Sequence, residues 1–339
     1  MTRNDGEPVL VTGPGGFLGS ALVSALVARG RRVRGFSRSA PPGLSRLPIE
    51  FLQGDLADLE AVDRACRGVA VVFHTAAKPP PWGRRRDYVR TNVIGTRNVI
   101  AACRRHGVRR LIHTSSPSVV FTGGDLEGVD ESAPYPPRYN ADYPATKAEA
   151  ERAVIAAGKE GALRTIVLRP HQIWGPGDPH FVPRLLRRAR RLRRIGEGKN
   201  LVDTTFIEDA AEAHLLADRA LAENAALSGR VFFISQGEPL PAWEMIDRIL
   251  NAAGLPPVRG AMSLAAARRL GWICEWLWRG LALPGEPPLT RFVAEALGTA
   301  HWFDISAARR DLGYRPRVSV AQGLERLARS LNSAGGGLR

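Results

Sequence analysis

The chain is 339 residues long, 44% hydrophobic and carries a formal net charge of +15, enough material for one large α/β domain or two lobes. Arginine supplies nearly all of the positive charge, because lysine stands only at positions 78, 147, 159 and 199; the basic residues are spread along the chain without interleaved aromatics, which argues against nucleic acid and leaves anionic small molecules or membrane surfaces. Cys66, Cys103 and Cys274 are isolated, which excludes a disulfide framework and a metal cluster, and no apolar run approaches the roughly 18 residues of a membrane span. Acidic residues near the amino terminus run straight into a strand, so a cytoplasmic protein without a signal peptide is expected.

The first strand, Val9 to Val11, ends in the loop TGPGGFLG, with Gly13, Gly16 and Gly19 at intervals of three. A glycine loop that opens a helix (Phe17, Leu18, Ala21, Leu22, Ala25, Leu26) presents unpaired N–H groups where a diphosphate can sit. Gly13 would permit the tight turn, Gly16 the approach of the phosphates and Gly19 the packing of helix on strand. A second strand over residues 32–36 ends in Ser37 and Arg38, where a carboxylate would be expected to hold a ribose 2′-hydroxyl; an arginine there favours a 2′-phosphate, hence NADP(H) over NAD. Strand-like and helix-like stretches then alternate: 51–52, a helix over 59–66, a strand over 70–73, a long helix carrying Tyr88, Val93, Val99 and Ile100, a strand over 111–114, a helix over 143–157 and a strand over 165–168. This alternation predicts an α/β fold, a Rossmann-type doubly wound parallel sheet covered on both faces.

Chemistry enters at Tyr143-Pro-Ala-Thr-Lys147. Residues four apart share a helix face, so a lysine ammonium can lower the pKa of the tyrosine and fit it for proton transfer. Ser116, after the strand ending at Thr114, can hydrogen-bond a substrate carbonyl.

With these motifs on the page, the chain resembles the extended short-chain dehydrogenases/reductases, in the stretches TGPGGFLG, GDL (54–56), HTAA (74–77), TNVIGT (91–96), TSS (114–116), YPATK (143–147) and LRPHQIWGPGD (168–178). The resemblance implies Ser116, Tyr143 and Lys147 as catalytic residues. It also implies a cofactor lined by Gly13, Gly16, Phe17, Leu18, Ser37, Arg38, Asp55, Leu56, Ala76, Ala77, Lys78, Asn92, Thr114, Tyr143, Lys147, Pro170, His171 and Ile173, and no metal. Asp55 would lie near the adenine, Asn92 would support the central helix and a relay water, and Lys147 would hold the nicotinamide ribose. Pro14 departs from the usual glycine loop and removes one backbone donor. Within the superfamily the chain is similar to the 3β-hydroxysteroid dehydrogenase-like branch, and through HTAAKPPPWG, IWGPGDPHFVPRLL and LPGEPPLTRF to bacterial 2-alkyl-3-oxoalkanoate reductases of long-chain olefin synthesis. That implies NADPH-dependent reduction of a long-chain β-keto acid to a β-hydroxy acid, with a β-lactone synthetase and a β-lactone decarboxylase as partners and a homodimer as assembly. Kept beside it are a 3β-hydroxysteroid or sterol-4-carboxylate dehydrogenase and a non-catalytic NADP-sensing protein; a nucleotide-sugar epimerase fits the apolar carboxyl half less well.

Residues 1–175 are expected to form the nucleotide-binding domain, with 200–235 returning to it in part. Residues 176–332 are expected to form a smaller, mostly helical substrate lobe interleaved with it, and 333–339 a disordered tail. In 181–195 the stripe Leu185, Leu186, Ala189 and Leu192 predicts one helix with a basic face, solvated or docking an anion. Residues 261–283, rich in Leu, Ile and Trp, read as an amphipathic helix pair: core packing, a tunnel for alkyl chains, a peripheral membrane contact or a partner dock. Trp82, Tyr139, Trp174 and Trp302 are candidates for the pocket wall, and an arginine for the substrate carboxylate cannot be chosen among so many.

Overall fold

The structure is a computed structural model, describing residues 8–40, 42–44 and 46–335. Seven parallel strands form the central sheet. In chain order they are β1 (Val9–Thr12), β2 (Val33–Ser37), β3 (Glu50–Gln53), β4 (Val71–His74), β5 (Arg110–Thr114), then β7 (Arg164–Pro170) and β12 (Arg230–Ile234), and in space β12-β7-β5-β4-β1-β2-β3. The order reverses between β1 and β4, and in such sheets ligands bind at the carboxyl ends of the strands around that point.

Strand residues alternate between two cores. Val9 and Val11 face the side covered by α1 (Phe17–Ala28) and α7 (Ile207–Glu223), while Leu10 faces α2 (Leu59–Cys66), α4 (Gly95–Arg105) and α5 (Asp142–Lys159). With both faces buried, the strands read as continuous apolar runs, as β1 and β4 do. The long helix before β5 is interrupted: α3 (Arg85–Tyr88) passes through a π-helical stretch, Val89–Ile94, into α4.

The second lobe is built around a four-stranded sheet in the order β13 (Leu240–Pro241), β10 (Leu201–Val202), β15 (His301–Phe303), β6 (Leu126–Val129). The two lobes interleave: β12 lies in the returning stretch 200–235 and joins the Rossmann sheet beside β7, and β6, from within 1–175, serves the carboxyl-terminal lobe. Pairs β8 (Ile173–Trp174) with β11 (Thr205–Phe206) and β9 (Arg193–Ile195) with β14 (Gly260–Met262) tie the lobes' connections. The lobe is completed by α6 (Phe181–Arg188), α8 (Ala242–Ala252), α9 (Leu264–Gly280), α10 (Arg291–Gly298), α11 (Ser306–Asp311) and α12 (Val320–Gly335).

Three expectations change. Residues 181–195 are not one helix: α6 stops at Arg188 and the chain turns through 189–191 into β9. Continuing would stack Arg187, Arg190, Arg191 and Arg194 at three- and four-residue spacing, which repels. Residues 261–283 hold a single helix, α9, whose packing partner is α10 from beyond the segment. The disordered tail expected over 333–339 does not hold for 333–335, where α12 continues through Gly335; the rest of that expectation, 336–339, lies outside the described residues. Among the described residues no helix is long and apolar enough to cross a membrane.

Candidate active site

The glycine loop is shaped by what a side chain would strike. Gly13 has φ +69°, and a Cβ there would come within 2.9 Å of the Ala76 Cα, so the loop lies against the end of β4. A Cβ on Gly19 would lie 2.0 Å from the Gly13 carbonyl oxygen, so α1 is pressed onto the loop itself. Gly16 caps α1 without a side-chain hydrogen bond, and a Cβ there meets only the Gly13 oxygen, at 3.3 Å. An uncapped helix start facing an open cradle at the switch point fits the diphosphate of a dinucleotide. Pro14 is buried against Gly35 of β2, where a Cβ would come 3.0 Å from its ring. The donor it removes is exchanged for a contact that holds the loop over the second strand.

Beneath the loop, one buried histidine has a tautomer dictated by its partners. Thr96 Oγ1 donates to the Asn92 carbonyl at 2.6 Å and so accepts from His74 Nε2–H at 3.0 Å. His74 Nδ1 then accepts from Thr12 Oγ1–H at 2.8 Å, and Thr12 accepts in turn from the Ala76 N–H at 3.3 Å. Burial, with the Lys147 charge nearby, lowers the His74 pKa to about 3 and keeps the ring neutral. Asn92 lies in the π-helical stretch, a common device for turning a functional side chain inward. Its Oδ1 accepts from the Lys78 N–H at 2.8 Å and its Nδ2 donates to Thr146 Oγ1 at 3.1 Å, which joins the loop after β4 to the residue preceding Lys147.

Ser116, Tyr143 and Lys147 converge at the carboxyl end of β5. Ser116 caps the turn Pro117–Val120: its Oγ accepts the Ser118 N–H at 3.2 Å, lies 2.9 Å from Ser118 Oγ and hydrogen-bonds Tyr143. Lys147 is buried, and its Nζ donates to the Thr114 carbonyl at 2.6 Å. That carbonyl is steadied because Thr114 Oγ1 donates to His214 Nε2 at 2.8 Å while His214 Nδ1–H donates to the Ala210 carbonyl at 2.7 Å. Burial brings the Lys147 pKa down to about 8, against the attraction of the Glu151 carboxylate one turn on. Tyr143 departs from expectation. Burial raises its pKa and the Ser116 hydrogen bond offsets only part of that; Lys147, turned to the strand carbonyl, does not draw it down. The phenol is thus held protonated, as a proton donor.

Tyr143 opens onto a narrow cleft between the lobes, shared with Trp82, Tyr88, Glu275, Arg279 and Phe292. Glu275 is occupied by Arg291, which donates to it from its backbone at 2.7 Å and its side chain at 2.9 Å. Arg279 is more loosely held, over the Trp82 ring at 5.0 Å and 3.9 Å from Asp142. Sequence pattern had not singled it out.

The other candidates stand as follows. Ser37 and Arg38 end β2; Ser37 Oγ donates to the Ser39 carbonyl at 2.8 Å, and Gln53 fixes the Arg38 carbonyl at 2.9 Å while its guanidinium stays exposed. Asp55 accepts from the Ala57 N–H at 2.9 Å and from Arg90 at 3.1 Å, and Leu56 packs where a Cβ on Gly95 would reach it at 2.7 Å. Pro170 ends β7 and Ile173 opens β8. His171 has its Nδ1–H committed to the Asp203 carbonyl and its ring 5.3 Å from that of Phe303, so the side chain belongs to the packing between lobes. Trp174 is fully buried, bonded to Thr204 at 2.9 Å and packed on Phe206, and so is not a pocket wall. Tyr139 is turned to the Val119 carbonyl at 2.7 Å, and Trp302 covers Gly128. Of the four aromatic candidates, Trp82 lines the cleft.

Comparison with known proteins places the chain in a family. Residues 10–264 match the 3-beta hydroxysteroid dehydrogenase/isomerase family. A 2-alkyl-3-oxoalkanoate reductase from Stenotrophomonas maltophilia is 52% identical over 95% of this chain and 98% of its own, and one from Shewanella oneidensis is 43% identical over 95% and 85%. The mouse sterol-4-alpha-carboxylate 3-dehydrogenase, decarboxylating, is 36% identical over 95% and 90%. Among solved structures, MoeE5 in complex with UDP-glucose and NAD superposes with a TM-score of 0.74 at 27% identity, covering 96% of this chain and 99% of that one. The chain belongs to the 3-beta hydroxysteroid dehydrogenase/isomerase family, within the extended short-chain dehydrogenases/reductases, and is an NAD(P)-dependent oxidoreductase.

Proposed function

We propose that the protein reduces the 3-keto group of a long-chain 2-alkyl-3-oxoalkanoic acid with NADPH, giving the 2-alkyl-3-hydroxyalkanoic acid of an olefin hydrocarbon route. The observation that carries this reading is the meeting of Tyr143 and Arg279 in one cleft, with Ser116 hydrogen-bonded to Tyr143 and Lys147 buried one helical turn on. The names of the reductase and sterol relatives share one chemical feature: a carboxylate on the carbon next to the reacting one. Arg279, beside Tyr143, is the cation suited to that carboxylate.

Bound dinucleotide would supply the hydride, with its diphosphate at Gly13 to Leu18 and its 2′-phosphate at Ser37 and Arg38. Ser116 orients the ketone oxygen and donates a hydrogen bond that strengthens as negative charge develops there. Tyr143, kept protonated by burial, gives its phenolic proton to the forming alkoxide. Lys147, anchored to the Thr114 carbonyl, holds the end of β5 that carries Ser116, while the Ser116 hydrogen bond steadies the tyrosinate left behind. Arg279 fixes the carboxylate so that one face of the ketone is presented.

NADP+ reduction with a long-chain 2-alkyl-3-hydroxyalkanoic acid tests the reading in the reverse direction, since β-keto acids lose CO2. Turnover of the acid with NADP+ preferred is expected. Turnover of a 3β-hydroxysterol alone, with NAD+, would assign the protein to the second reading, which the mouse relative keeps open. Tyr143→Phe should abolish turnover and leave NADPH binding nearly intact. Arg38→Ala should weaken NADPH far more than NADH, and an equal loss for both would remove the 2′-phosphate argument.

A further inference from the structure

Helix α9 is built inside out for a soluble protein. Its small residues Ala267, Gly271 and Cys274 face the protein, and a Cβ on Gly271 would come 2.7 Å from the backbone of Thr290 and Arg291 at the start of α10. Its large ones face water: Trp272 is 55% exposed, Ile273 46% and Trp276 63%, and Leu281, just past the helix, 65%. Of the eight large apolar side chains exposed among the described residues, six fall within 270–283. An apolar cluster of this kind on a folded chain marks an interaction surface.

The surroundings say which kind. Exposed Arg269 precedes the stripe by one helical turn. At the far end, Arg184 meets Glu286 at 3.2 Å and Arg188 donates to the Pro288 carbonyl at 2.8 Å. These contacts bring α6 and the exposed Arg187, Arg190 and Arg191 to the loop after α9. At the near end, Arg193 of β9 pairs with Gly260 of the strand leading into α9. Indoles and branched aliphatics within a rim of arginines match the headgroup boundary of an anionic bilayer, where rings lie at the interface and guanidinium groups reach phosphates. A second copy fits less well, because a twofold contact would set this cationic rim against its own kind. The helix is 17 residues long and does not span.

We propose that the outward face of α9, with Leu281 and Leu283, lies on an anionic lipid surface. Glu275 and Arg279 of the same helix line the cleft in front of Tyr143, so docking would set the mouth of the active site at the headgroup layer, where an alkyl-chain acid partitions. The placement of the cleft's mouth rests on the substrate reading above; the lipid contact itself does not.

Co-sedimentation of the full chain with phosphatidylcholine vesicles, with and without phosphatidylglycerol, tests it without substrate. Binding to the anionic vesicles that weakens with salt is expected, with at least a tenfold loss in the W272S/W276S variant and in the R187E/R190E/R191E variant. Both variants should turn over a short, water-soluble 2-alkyl-3-hydroxy acid at the wild-type rate, because none of these residues touches the cleft. Failure of the wild type to bind anionic vesicles, or undiminished binding by W272S/W276S, overturns the proposal. So does a dimer, seen by light scattering, that W272S/W276S converts to monomer. Vesicle binding with no turnover of any hydroxy acid would instead sink the substrate reading and leave the surface standing.

Discussion

Glu151→Gln is the sharpest single test of the buried electrostatics. Glu151 lies one turn after Lys147, and its side chain is wholly excluded from solvent. Its carboxylate receives Arg169 at 2.5 and 3.2 Å and the Tyr135 hydroxyl at 2.6 Å. Removing the charge strands a guanidinium whose side chain is 3% exposed, and breaking such a pair from one side costs about 3–5 kcal/mol. The same change at Glu50, which meets Arg34 at 2.8 Å with its own side chain 55% exposed, should cost ~0–1 kcal/mol. Urea unfolding followed by tryptophan fluorescence measures both. A second readout distinguishes a positioning role from a merely structural one. Glu151 supports the Lys147 ammonium, whose pKa burial has brought to about 8, so its loss should move that limb of the activity profile to lower pH. An E151Q protein within about 1 kcal/mol of wild type, with an unmoved limb, would refute the reasoning.

Acid should unfold the protein through its histidines. His74 and His301 are lowered to about 3 and His171 and His214 to about 4, all chiefly by burial. Their unfolded forms bind protons first, so stability is whole above pH ~6.5 and falls as pH drops towards 4; a flat urea midpoint across that window would contradict the buried neutral rings. Gly19→Ala should destabilise by the upper end of about 1–3 kcal/mol, because its Cβ would sit 2.0 Å from a backbone oxygen. Gly16→Ala, with only a 3.3 Å neighbour, should fold normally and lose cofactor affinity, measured by fluorescence titration. Lys147→Met should abolish turnover at every pH while leaving a folded protein by circular dichroism.

What the sequence made legible was local. The glycine loop and the Tyr143–Lys147 pair carry their demands in three- and four-residue spacings, because positive φ, helix starts and shared faces are set within a turn of chain. Arg279 was one arginine among many until α9 folded across the cleft, 136 residues after Tyr143. His214 lies 100 residues from Thr114, and Arg169 is 18 from Glu151; no spacing announces such pairs. Trp174 misled because aromaticity does not distinguish a pocket wall from a core, and 181–195 misled because the apolar stripe hid the repulsion among its arginines.

The return of β12 to the central sheet has a consequence for how the chain is made. β7 ends at Pro170, and its free edge waits until residues 230–234 emerge to pair with it. Through that interval of synthesis a row of unpaired N–H and C=O groups is on offer to other chains. β6 likewise waits for β15, more than 170 residues later. Neither lobe is a module that evolution could have exchanged by a single cut, so new substrates are more readily reached by altering helices such as α9 and α10 in place than by swapping a lobe.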